Sequence, residues 1–267
     1  MDKRKFIYFV SDVHLGLRNG DEDGREARFV EFLRGIPAER TSAVFLLGDI
    51  WDFWYEYKYV VPKGYIRVFA ALDSLMEAGV RVFFFPGNHD VWAYNYFKEL
   101  GMVVMDQKYA TIAMDGQLFC LGHGDGLGPV SRGYRALRWL FHNKLAQWCF
   151  SLLHPRMAFA LGNRWSHSNR MSHGDKYVFK GESEPLYKFA AALSSEQRVD
   201  HFIFGHYHSL YSTELPSGAS FNVLDDWFLT SNWLRWDGFK MESFVEEAKI
   251  ASDEEEARNP SDICEES

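Results

Sequence analysis

Five apolar segments of strand length constrain this chain most, because each of them stops at a cluster of polar residues. In chain order they are KFIYFV before SDVH, AVFLL before GDIWD, VRVFFF before PGNHD, QLFCL before GHGD, and HFIF before GHYH. Continuous apolar runs bounded by turn residues are typical of strands buried on both faces. Between the first three runs, RFVEFLRGI and YIRVFAALDSLMEAG carry apolar residues at helical spacing. The order β, α, β, α, β predicts an α/β fold whose strand ends meet along one edge.

The size and composition of the chain exclude several classes of protein. A chain of 267 residues can form one large domain, or one domain with an insertion, around a sizeable core. There is no run of eighteen apolar residues, and the N-terminus leads directly into a strand-like segment, so we expect a cytoplasmic protein without a signal peptide. The three cysteines, Cys120, Cys149 and Cys264, are far apart, which argues against a disulfide framework or a cysteine-rich zinc site.

Charge is distributed unevenly along the chain. The net charge is −8, but residues 253–267 alone hold seven acids and one base. Residues 131–180 show the opposite bias, with nine Lys or Arg against one acid and a local balance of +8. We therefore predict a core formed by residues 1–130 and 181–250, an insertion at 131–180, and a disordered, solubilising acidic tail at 251–267.

The polar clusters after the five apolar runs supply carboxylates, imidazoles and an amide, but no thiolate. Their members are Asp12, His14, Asp49, Asp52, Asn88, His89, Asp90, His123, Asp125, His206 and His208. This donor set suits two divalent cations of intermediate hardness, such as Mn²⁺, Fe or Zn²⁺. Residues two apart in a strand point the same way, so Asp12 with His14, and His206 with His208, can each converge from a single strand end. A buried aspartate such as Asp49 suits the bridge between two cations.

Each motif alone also has a simpler interpretation. GNHD is compatible with a turn in which Asp90 caps a helix formed by VWAYNYFKEL, and GHGD with a glycine loop. Short motifs of this kind often occur by chance. Five of them in series, each after an apolar strand, favour a metal site.

The series D-x-H, GD-x-x-D, GNHD, GH-G-D and GH-x-H, from about Ser11 to His208, resembles the calcineurin-like metallophosphoesterases. The resemblance implies a metallophosphoesterase β-sandwich flanked by helices, with two divalent metal ions. One metal would be held by Asp12, His14, Asp49 and His208. The other would be held by Asp49, Asn88, His123 and His206. Manganese is the metal we expect, with iron, zinc and magnesium as alternatives.

The same resemblance assigns catalytic roles beside the metals. His89, steadied by Asp90, would act on the substrate without binding a metal, as an acid that protonates the leaving oxygen. We expect Asp52 to hold a ligand histidine by its free N–H group. For Asp125 a supporting role in the site and a purely structural role remain equally open.

The basic insertion is predicted to be a helical hairpin. In YRALRWLFHNKLAQWCFSLL the apolar residues recur at steps of three and four, which predicts one amphipathic helix with basic residues on its polar side. Pro155 would end that helix, and MAFALGNRWSHSNR would start a second. Packing against the sandwich would explain most of the apolar stripe. The charge of +8 over residues 131–180 indicates phosphate, anionic lipid headgroups, or both.

A closer resemblance covers about Tyr134 to Lys176. A Tyr- and Arg-rich helix after HGD, the phrase HNKLAQWCFSLLHP, then RWSHSNR and a downstream lysine resemble the helical cap of the UDP-2,3-diacylglucosamine hydrolases of lipid A biosynthesis. Those enzymes cut the pyrophosphate of a nucleotide-linked lipid to give UMP and 2,3-diacylglucosamine 1-phosphate. The resemblance implies an acyl-chain groove between facing aromatic residues. The substrate contacts that it implies are Arg164, Ser166, Asn169, Arg170 and Lys176.

This resemblance also implies an enzyme of lipid metabolism that lies peripherally on the inner face of the cell membrane, attracted by anionic lipid. Its best-known branch has Arg at the position of His89, whereas His is the general phosphoesterase form and also occurs in a divergent branch.

Two other functions remain as alternatives. One is a general phosphodiesterase or phosphatase that acts on a nucleotide, nucleic acid or phosphoprotein. A nuclease would favour a long open basic groove, whereas here the basic residues alternate with large apolar ones, so we expect no nucleic-acid partner. The other is a non-catalytic scaffold of the same fold. The complete ligand set argues against a scaffold, because buried carboxylates and imidazoles are costly without a cation. We expect no obligate protein partner.

Overall fold

The computed structural model describes residues 5–17, 22–171 and 177–247, with the backbone alone at 22–23, 163 and 167–171. The predicted acidic tail at 251–267 and Lys176 lie outside the described residues. Within them, two β-sheets stack face to face and helices cover their outer faces. This arrangement confirms the predicted α/β sandwich.

The first sheet contains the first three predicted strands. Its six strands are Phe6–Val10 (β1), Thr41–Leu46 (β2), Arg81–Phe84 (β3), Val103–Val104 (β4), Thr230–Trp236 (β10) and Met241–Glu247 (β11). They lie in the order β11-β10-β1-β2-β3-β4. The strands β1 to β4 are parallel, and β10 pairs antiparallel with β1. Helices α1 (Glu22–Gly35) and α2 (Ile66–Glu77) make the connections between the first three strands, as the apolar spacing predicts.

The second sheet contains the other two predicted strands. Its five strands are Tyr109–Met114 (β5), Gln117–Gly122 (β6), His201–Phe204 (β7), Tyr211–Glu214 (β8) and Ser220–Val223 (β9). They lie in the order β5-β6-β7-β9-β8, with β6, β7 and β9 parallel. Helix α7 (Pro185–Glu196) packs on the outer face of this sheet. The segment VWAYNYFKEL yields only the short helix α3 (Tyr96–Glu99).

The core has a layer between the sheets and a layer on each outer face. Between the sheets, the ring of Phe9 stacks on Phe45 at 5.4 Å and on Phe119 at 5.9 Å between centroids. The neighbours of Phe9 in β1, Tyr8 and Val10, point instead to the layer beneath α1 and α2. Both faces of the central strands are therefore covered, which explains why their sequences are continuously apolar.

The insertion forms three helices rather than a hairpin of two. They are α4 (Arg132–His142), α5 (Lys144–Ser151) and α6 (Pro155–Met171). The single helix predicted over residues 134–153 is wrong, because Asn143 takes an extended conformation and its side chain accepts hydrogen bonds from the N–H groups of Leu145 and Ala146. Asparagine stabilises a helix start in this way, so α4 ends and α5 begins here. Pro155 starts α6 and separates it from α5, as predicted.

The insertion buries very little of its own surface. Helices α4 and α5 contain no buried residue. Among the described side chains of α6, the buried residues are Ala158, Gly162 and Ser166, which are spaced four apart and lie on one face. A Cβ atom added to Gly162 would overlap the ring of Phe53, so this face packs closely on the sandwich. None of the described helices is both long and apolar enough to pass through a membrane.

Candidate metal centre

The structure brings all seven predicted metal ligands together at one end of the sandwich. Five of them follow β1, β2 and β3 of the first sheet or β6 of the second, and the other two follow β7. Backbone hydrogen bonds join the loops after β1 and β2, from Asp12 N to the Gly48 carbonyl at 3.1 Å and from His14 N to the Asp49 carbonyl at 2.9 Å. The carboxyl ends of parallel strands form such sites because each loop leaves the sheet at the same edge.

The backbone at these ligands is held in an uncommon conformation. Of the described residues other than glycine, seven have a positive φ, and five of those are predicted ligands: Asp12, His14, Asp49, His206 and His208. Residues with side chains avoid this region unless the surrounding structure enforces it, and such strain is concentrated at functional sites. The same feature in five ligands from three loops indicates that the ends of the strands are shaped for side-chain position rather than for stability.

The first group of ligands is Asp12, His14, Asp49 and His208, whose ligand atoms all lie within 4.8 Å of one another. The Nε2 atoms of His14 and His208 are 3.2 Å apart. The buried Asp12 Oδ1 lies 3.7 Å from the former and 3.3 Å from the latter, yet meets hydrogen-bond geometry with neither. Electron-pair donors thus converge on one point.

Two carboxylates orient the rings of this first group. His14 Nδ1 lies 3.3 Å from Asp52 Oδ1, and His208 Nδ1 lies 3.2 Å from Asp226 Oδ2. Because a carboxylate accepts hydrogen bonds, we assign the Nδ1–H tautomer to both rings, which turns the Nε2 lone pairs inward. The facing lone pairs repel each other unless a cation or a proton lies between them. The predicted role of Asp52 agrees with this contact.

The second group contains Asp49, His123 and His206, and their ligand atoms also lie within 4.8 Å of one another. His123 Nδ1 lies 2.9 Å from the Leu47 carbonyl oxygen, so its Nε2 faces Asp49 Oδ2 at 3.2 Å and Asn88 Oδ1 at 3.3 Å. Asp49 belongs to both groups. This is the geometry expected of a carboxylate that bridges two cations.

The electrostatics of the cluster differ among its histidines. At His206, burial and the neighbouring His123 lower the pKa to about 3, whereas two other ligand histidines favour the protonated form. Burial would lower the pKa of His123, but the Asp49 carboxylate outweighs it and raises that pKa to about 9. Burial is likewise outweighed at His208, where Asp12 and Asp226 raise the pKa to about 10. Burial would raise the pKa of Asp12, but the neighbouring histidines hold it well below its ordinary value. Oxygen and nitrogen donors that attract protons this strongly also fit divalent cations, which would displace those protons.

His89 lies beside the first group of ligands. Its ring centroid is 5.0 Å from that of His14, at nearly a right angle, and its backbone N–H donates to Asp49 Oδ1 at 2.8 Å. The ring is held by the backbone carbonyl of Asp52, which lies 2.7 Å from His89 Nδ1. On its other side, the ring of Trp165 from α6 lies 5.7 Å away between centroids. His89 therefore occupies the boundary between the ligands and the insertion.

Asp90 does not have the contact that we predicted for it. Its carboxylate accepts hydrogen bonds from the backbone N–H groups of Gly87, Asp49, Ile50 and Trp51, at 2.7 to 3.4 Å. Asp90 therefore ties the loop after β3 to the loop after β2, and the Asp52 carbonyl takes the orienting role at His89. Asp90 takes this role because it is fully buried beneath the two loops, where backbone N–H groups without a hydrogen-bond acceptor would be costly.

The predicted substrate contacts fall into three classes. Arg164 is exposed on α6. Ser166 is fully buried, and its hydroxyl donates to Asp52 Oδ2 at 2.8 Å, so its partner in this structure is a carboxylate of the protein. Asn169 and Arg170 belong to α6 but their side chains are not described, and Lys176 lies outside the described residues.

Sequence reasoning missed Asp226 and left Asp125 open. Asp226 follows the buried strand β9 in the phrase SFNVLDDW, so the pattern that identified the other clusters, an apolar strand that stops at a carboxylate, would have found it. Asp125 accepts a hydrogen bond from Tyr134 Oη at 3.3 Å and pairs with Arg138, both of which belong to α4. It therefore joins the insertion to the loop after β6.

Comparison with known proteins places this geometry in a family. The family model described as calcineurin-like phosphoesterase matches residues 7–210. The chain is 37% identical to a UDP-2,3-diacylglucosamine hydrolase of Porphyromonas gingivalis, over 88% of this chain and 95% of that protein. It is 30% identical to a protein of the same name from Edwardsiella ictaluri, over 86% of this chain and 87% of that protein.

A solved structure, that of a dimetal phosphatase from Danio rerio, aligns with a TM-score of 0.43 and 16% identity, over 92% of this chain and all of that chain. The sequence matches confirm both resemblances that the motifs predict.

Proposed function

The chain belongs to the calcineurin-like phosphoesterase family and is a hydrolase, and from this premise we propose that it cleaves the pyrophosphate of UDP-2,3-diacylglucosamine in lipid A biosynthesis. The products are UMP and 2,3-diacylglucosamine 1-phosphate. One observation carries the choice of substrate: a helical insertion with exposed apolar side chains directly contacts the residues of the metal centre. Residues 131–180 form the helical cap in this proposal.

The exposed apolar side chains of the cap are numerous and large. On α4 and α5, Trp139 is 66%, Leu145 68% and Trp148 59% exposed. Leu152, between α5 and α6, is 66% exposed. Covering such side chains with acyl chains gains about 0.8 kcal/mol for each buried CH₂ group. A lipid substrate therefore gives these residues a function that packing on the sandwich does not, because the sandwich leaves them exposed.

The three helices of the cap, α4 to α6, also present cations for a phosphate-bearing ligand. Arg132, Arg135, Lys144, Arg156 and Arg164 are all exposed. One nucleotide-linked lipid carries both acyl chains and a pyrophosphate, so its binding surface needs apolar residues next to basic ones, as the cap has. We assign the pyrophosphate to Arg164, Arg170 and Lys176, with Asn169 as a further contact. Ser166 acts differently, as argued below.

Contacts between the cap and the metal centre place the two surfaces side by side. Trp165 lies against His89, and its ring also contacts Phe141 of α4, with centroids 5.0 Å apart. Phe141 contacts Trp92, whose indole N–H donates to the Phe141 carbonyl oxygen at 2.9 Å. An acylated ligand bound by the cap would therefore have its phosphate groups close to His89.

The seven strand-end ligands fit two divalent cations, for which we propose Mn²⁺. The proposed assignment keeps Asp49 as the shared ligand, with Asp12, His14 and His208 on one side and Asn88, His123 and His206 on the other. When bound, two such cations polarise phosphoryl oxygens and lower the pKa of the attacking water. Asp52 and Asp226 hold the rings of His14 and His208 in the orientation that binding requires.

His89 is the proposed catalytic residue that contacts the substrate. Its Nδ1 is held by the Asp52 carbonyl, so Nε2 is the atom that can face a phosphate. A protonated imidazole at this position stabilises negative charge on the phosphate and gives a proton to the leaving oxygen. The role proposed for Asp90 is to hold the backbone at Asp49 and Gly87, through the hydrogen bonds described above.

We also propose that the enzyme acts peripherally at the inner face of the membrane. A diacylated substrate resides in a bilayer, and exposed apolar residues among exposed cations are typical of surfaces that bind anionic bilayers. The cap has both.

The direct test is incubation of the full-length protein with UDP-2,3-diacylglucosamine, with and without Mn²⁺, followed by mass spectrometry of the products. We expect UMP and 2,3-diacylglucosamine 1-phosphate to form only with metal. Release of UDP instead would place cleavage at the sugar, and the proposal would be wrong.

A further inference from the structure

We infer that Ser166 is a positioning residue for the metal centre, through which the cap holds the ligand His14 in place. This inference rests on the proposed function for the presence of metals, but it concerns metal retention rather than the identity of the lipid. It assigns to Ser166 a role within the protein in place of the substrate contact that its motif predicts.

The contacts form a continuous chain from α6 to the ligands. The Ser166 hydroxyl donates to Asp52 Oδ2 at 2.8 Å, and the other oxygen of that carboxylate, Oδ1, lies 3.3 Å from His14 Nδ1. The backbone carbonyl of Asp52 holds His89 Nδ1 at 2.7 Å. One residue of the sandwich thus connects the cap to a metal ligand and to the proposed catalytic histidine.

The burial of this chain of contacts favours a positioning role. Ser166 and His14 are fully buried, and Asp52 is 4% exposed. A hydrogen bond to a carboxylate in such surroundings is strong and fixes the rotation of that carboxylate. If the hydroxyl is removed, Asp52 Oδ2 loses a buried donor, and the orientation of this carboxylate towards His14 is weakened. A substrate, by contrast, could reach the hydroxyl only after α6 had moved.

The packing of α6 explains why serine occupies this position. Ala158, Gly162 and Ser166 lie four residues apart on the face that packs on the sandwich, and a larger residue at 162 would overlap Phe53. The three residues on this face are small, and of the three only serine carries a side-chain donor. Because the helix lies this close to the sandwich, the Ser166 hydroxyl reaches the carboxylate of Asp52, which orients His14.

The test is retention of manganese by the full-length, Mn²⁺-loaded protein in competition with a chelator, measured by atomic emission. Residues that orient metal ligands typically change metal affinity by about 10–100-fold when mutated. We expect Ser166→Ala to lose manganese at a chelator concentration at least about 10-fold lower than the parent requires. Ser166→Thr, which keeps the hydroxyl, should restore retention.

Arg164→Ala is the matched control on the same helix. It removes an exposed residue that we assign to the substrate, so it should raise KM for the lipid and leave manganese retention unchanged. If Ser166→Ala is too unstable to purify, Ser166→Cys keeps the volume and replaces the hydroxyl by a weak donor, and the same direction of change is expected.

The inference is overturned if Ser166→Ala, folded as judged by circular dichroism, retains manganese like the parent and only raises KM for the lipid. That result would make Ser166 a substrate contact. If the proposed function is wrong, the result is different. The parent would bind manganese but would not cleave UDP-2,3-diacylglucosamine, and Ser166→Ala could still lower manganese retention.

Discussion

The metal centre and the cap adjoin each other, but the chain builds them in opposite ways. Around the metal centre nearly every polar group has a partner, four of the seven proposed ligands are buried, and the backbone of five ligands is held at positive φ. In α4 and α5 of the cap no residue is buried. The first region depends on atoms fixed to within fractions of an ångström, as catalysis requires. The second leaves apolar area uncovered, which a bound ligand or a membrane surface would cover.

This difference implies that the two regions respond differently to mutation. Substitutions at the metal centre should affect every substrate, whereas substitutions of exposed cap residues should affect only substrates with acyl chains.

Asp49→Asn should abolish hydrolysis of every substrate, because Asp49 belongs to both ligand groups and also accepts the His89 N–H. Activity on UDP-2,3-diacylglucosamine and on a small chromogenic phosphodiester should fall to the level of the metal-free protein, with manganese content reduced. Asp106→Asn, at an exposed aspartate paired with Lys98, is the matched control and should change neither quantity. Native turnover by Asp49→Asn would rule out a shared carboxylate ligand.

His89→Ala should lower kcat by about 10²–10⁴-fold, the usual contribution of an acid or base catalyst. Because we assign the ligand atom to the neighbouring Asn88, manganese content should stay close to that of the parent. Loss of one metal in this variant would show instead that His89 is a ligand.

Phe45→Ala should reduce the free energy of unfolding by about 3–5 kcal/mol, since its ring is fully buried between the sheets and stacks on Phe9 and Phe83. Trp139→Ala removes a larger side chain that is 66% exposed, and should change the stability by less than about 0.5 kcal/mol. Urea denaturation of both variants measures the contrast. A large loss of stability in Trp139→Ala would mean that the cap is part of the core.

The double variant Trp139→Ala, Trp148→Ala should raise KM for UDP-2,3-diacylglucosamine by about 10-fold, equivalent to about 1.4 kcal/mol of lost apolar contact. Activity on the small phosphodiester should stay the same. Phe239→Ala, at an exposed aromatic residue in the turn between β10 and β11, is the matched control and should leave both activities unaltered. Equal losses on both substrates would argue against an acyl-binding cap.

The pH dependence of stability should differ between the metal-free and the metal-loaded protein. In the metal-free protein the pKa values of His123 and His208 are raised from 6.5 to about 9 and about 10. Their protonation therefore stabilises the fold below about pH 6.5, and this contribution is lost as the pH rises through 9 to 10. Manganese must displace these protons, so its affinity rises over the same range. The difference in Tm between the two forms should widen from pH 6 to pH 9, and a constant or narrowing difference would contradict the ligand assignment.

The sequence predicted the fold, and it predicted which polar side chains come together, because both follow from the same local pattern. An apolar strand that stops at carboxylates and imidazoles defines a sheet edge and a metal site together, and all seven expected ligands converge there. What depends on side-chain direction could not be predicted. Asp90 follows His89 directly, yet its carboxylate faces four backbone N–H groups, and an orienting oxygen for His89 comes from the backbone of Asp52.

In the cap, the pattern was less informative because helical spacing continues across Asn143. Helix α4 ends there because the Asn143 side chain caps the start of α5. Ser166 shows the same limit, since a motif can indicate that a residue matters without showing whether it faces the substrate or the protein. Asp226, by contrast, was predictable, because it follows β9 in the same way that the ligands follow their strands.

The most direct test of the division between the two regions is the ratio of kcat/KM for UDP-2,3-diacylglucosamine to that for a UDP-sugar without acyl chains, measured with the intact Mn²⁺-loaded enzyme. If the metal centre performs the cleavage and the cap selects the lipid, the ratio should greatly exceed one in the parent and fall towards one in the Trp139→Ala, Trp148→Ala variant. A ratio near one in the parent, or faster cleavage of DNA than of either nucleotide, would contradict the assignment of the cap to acyl chains.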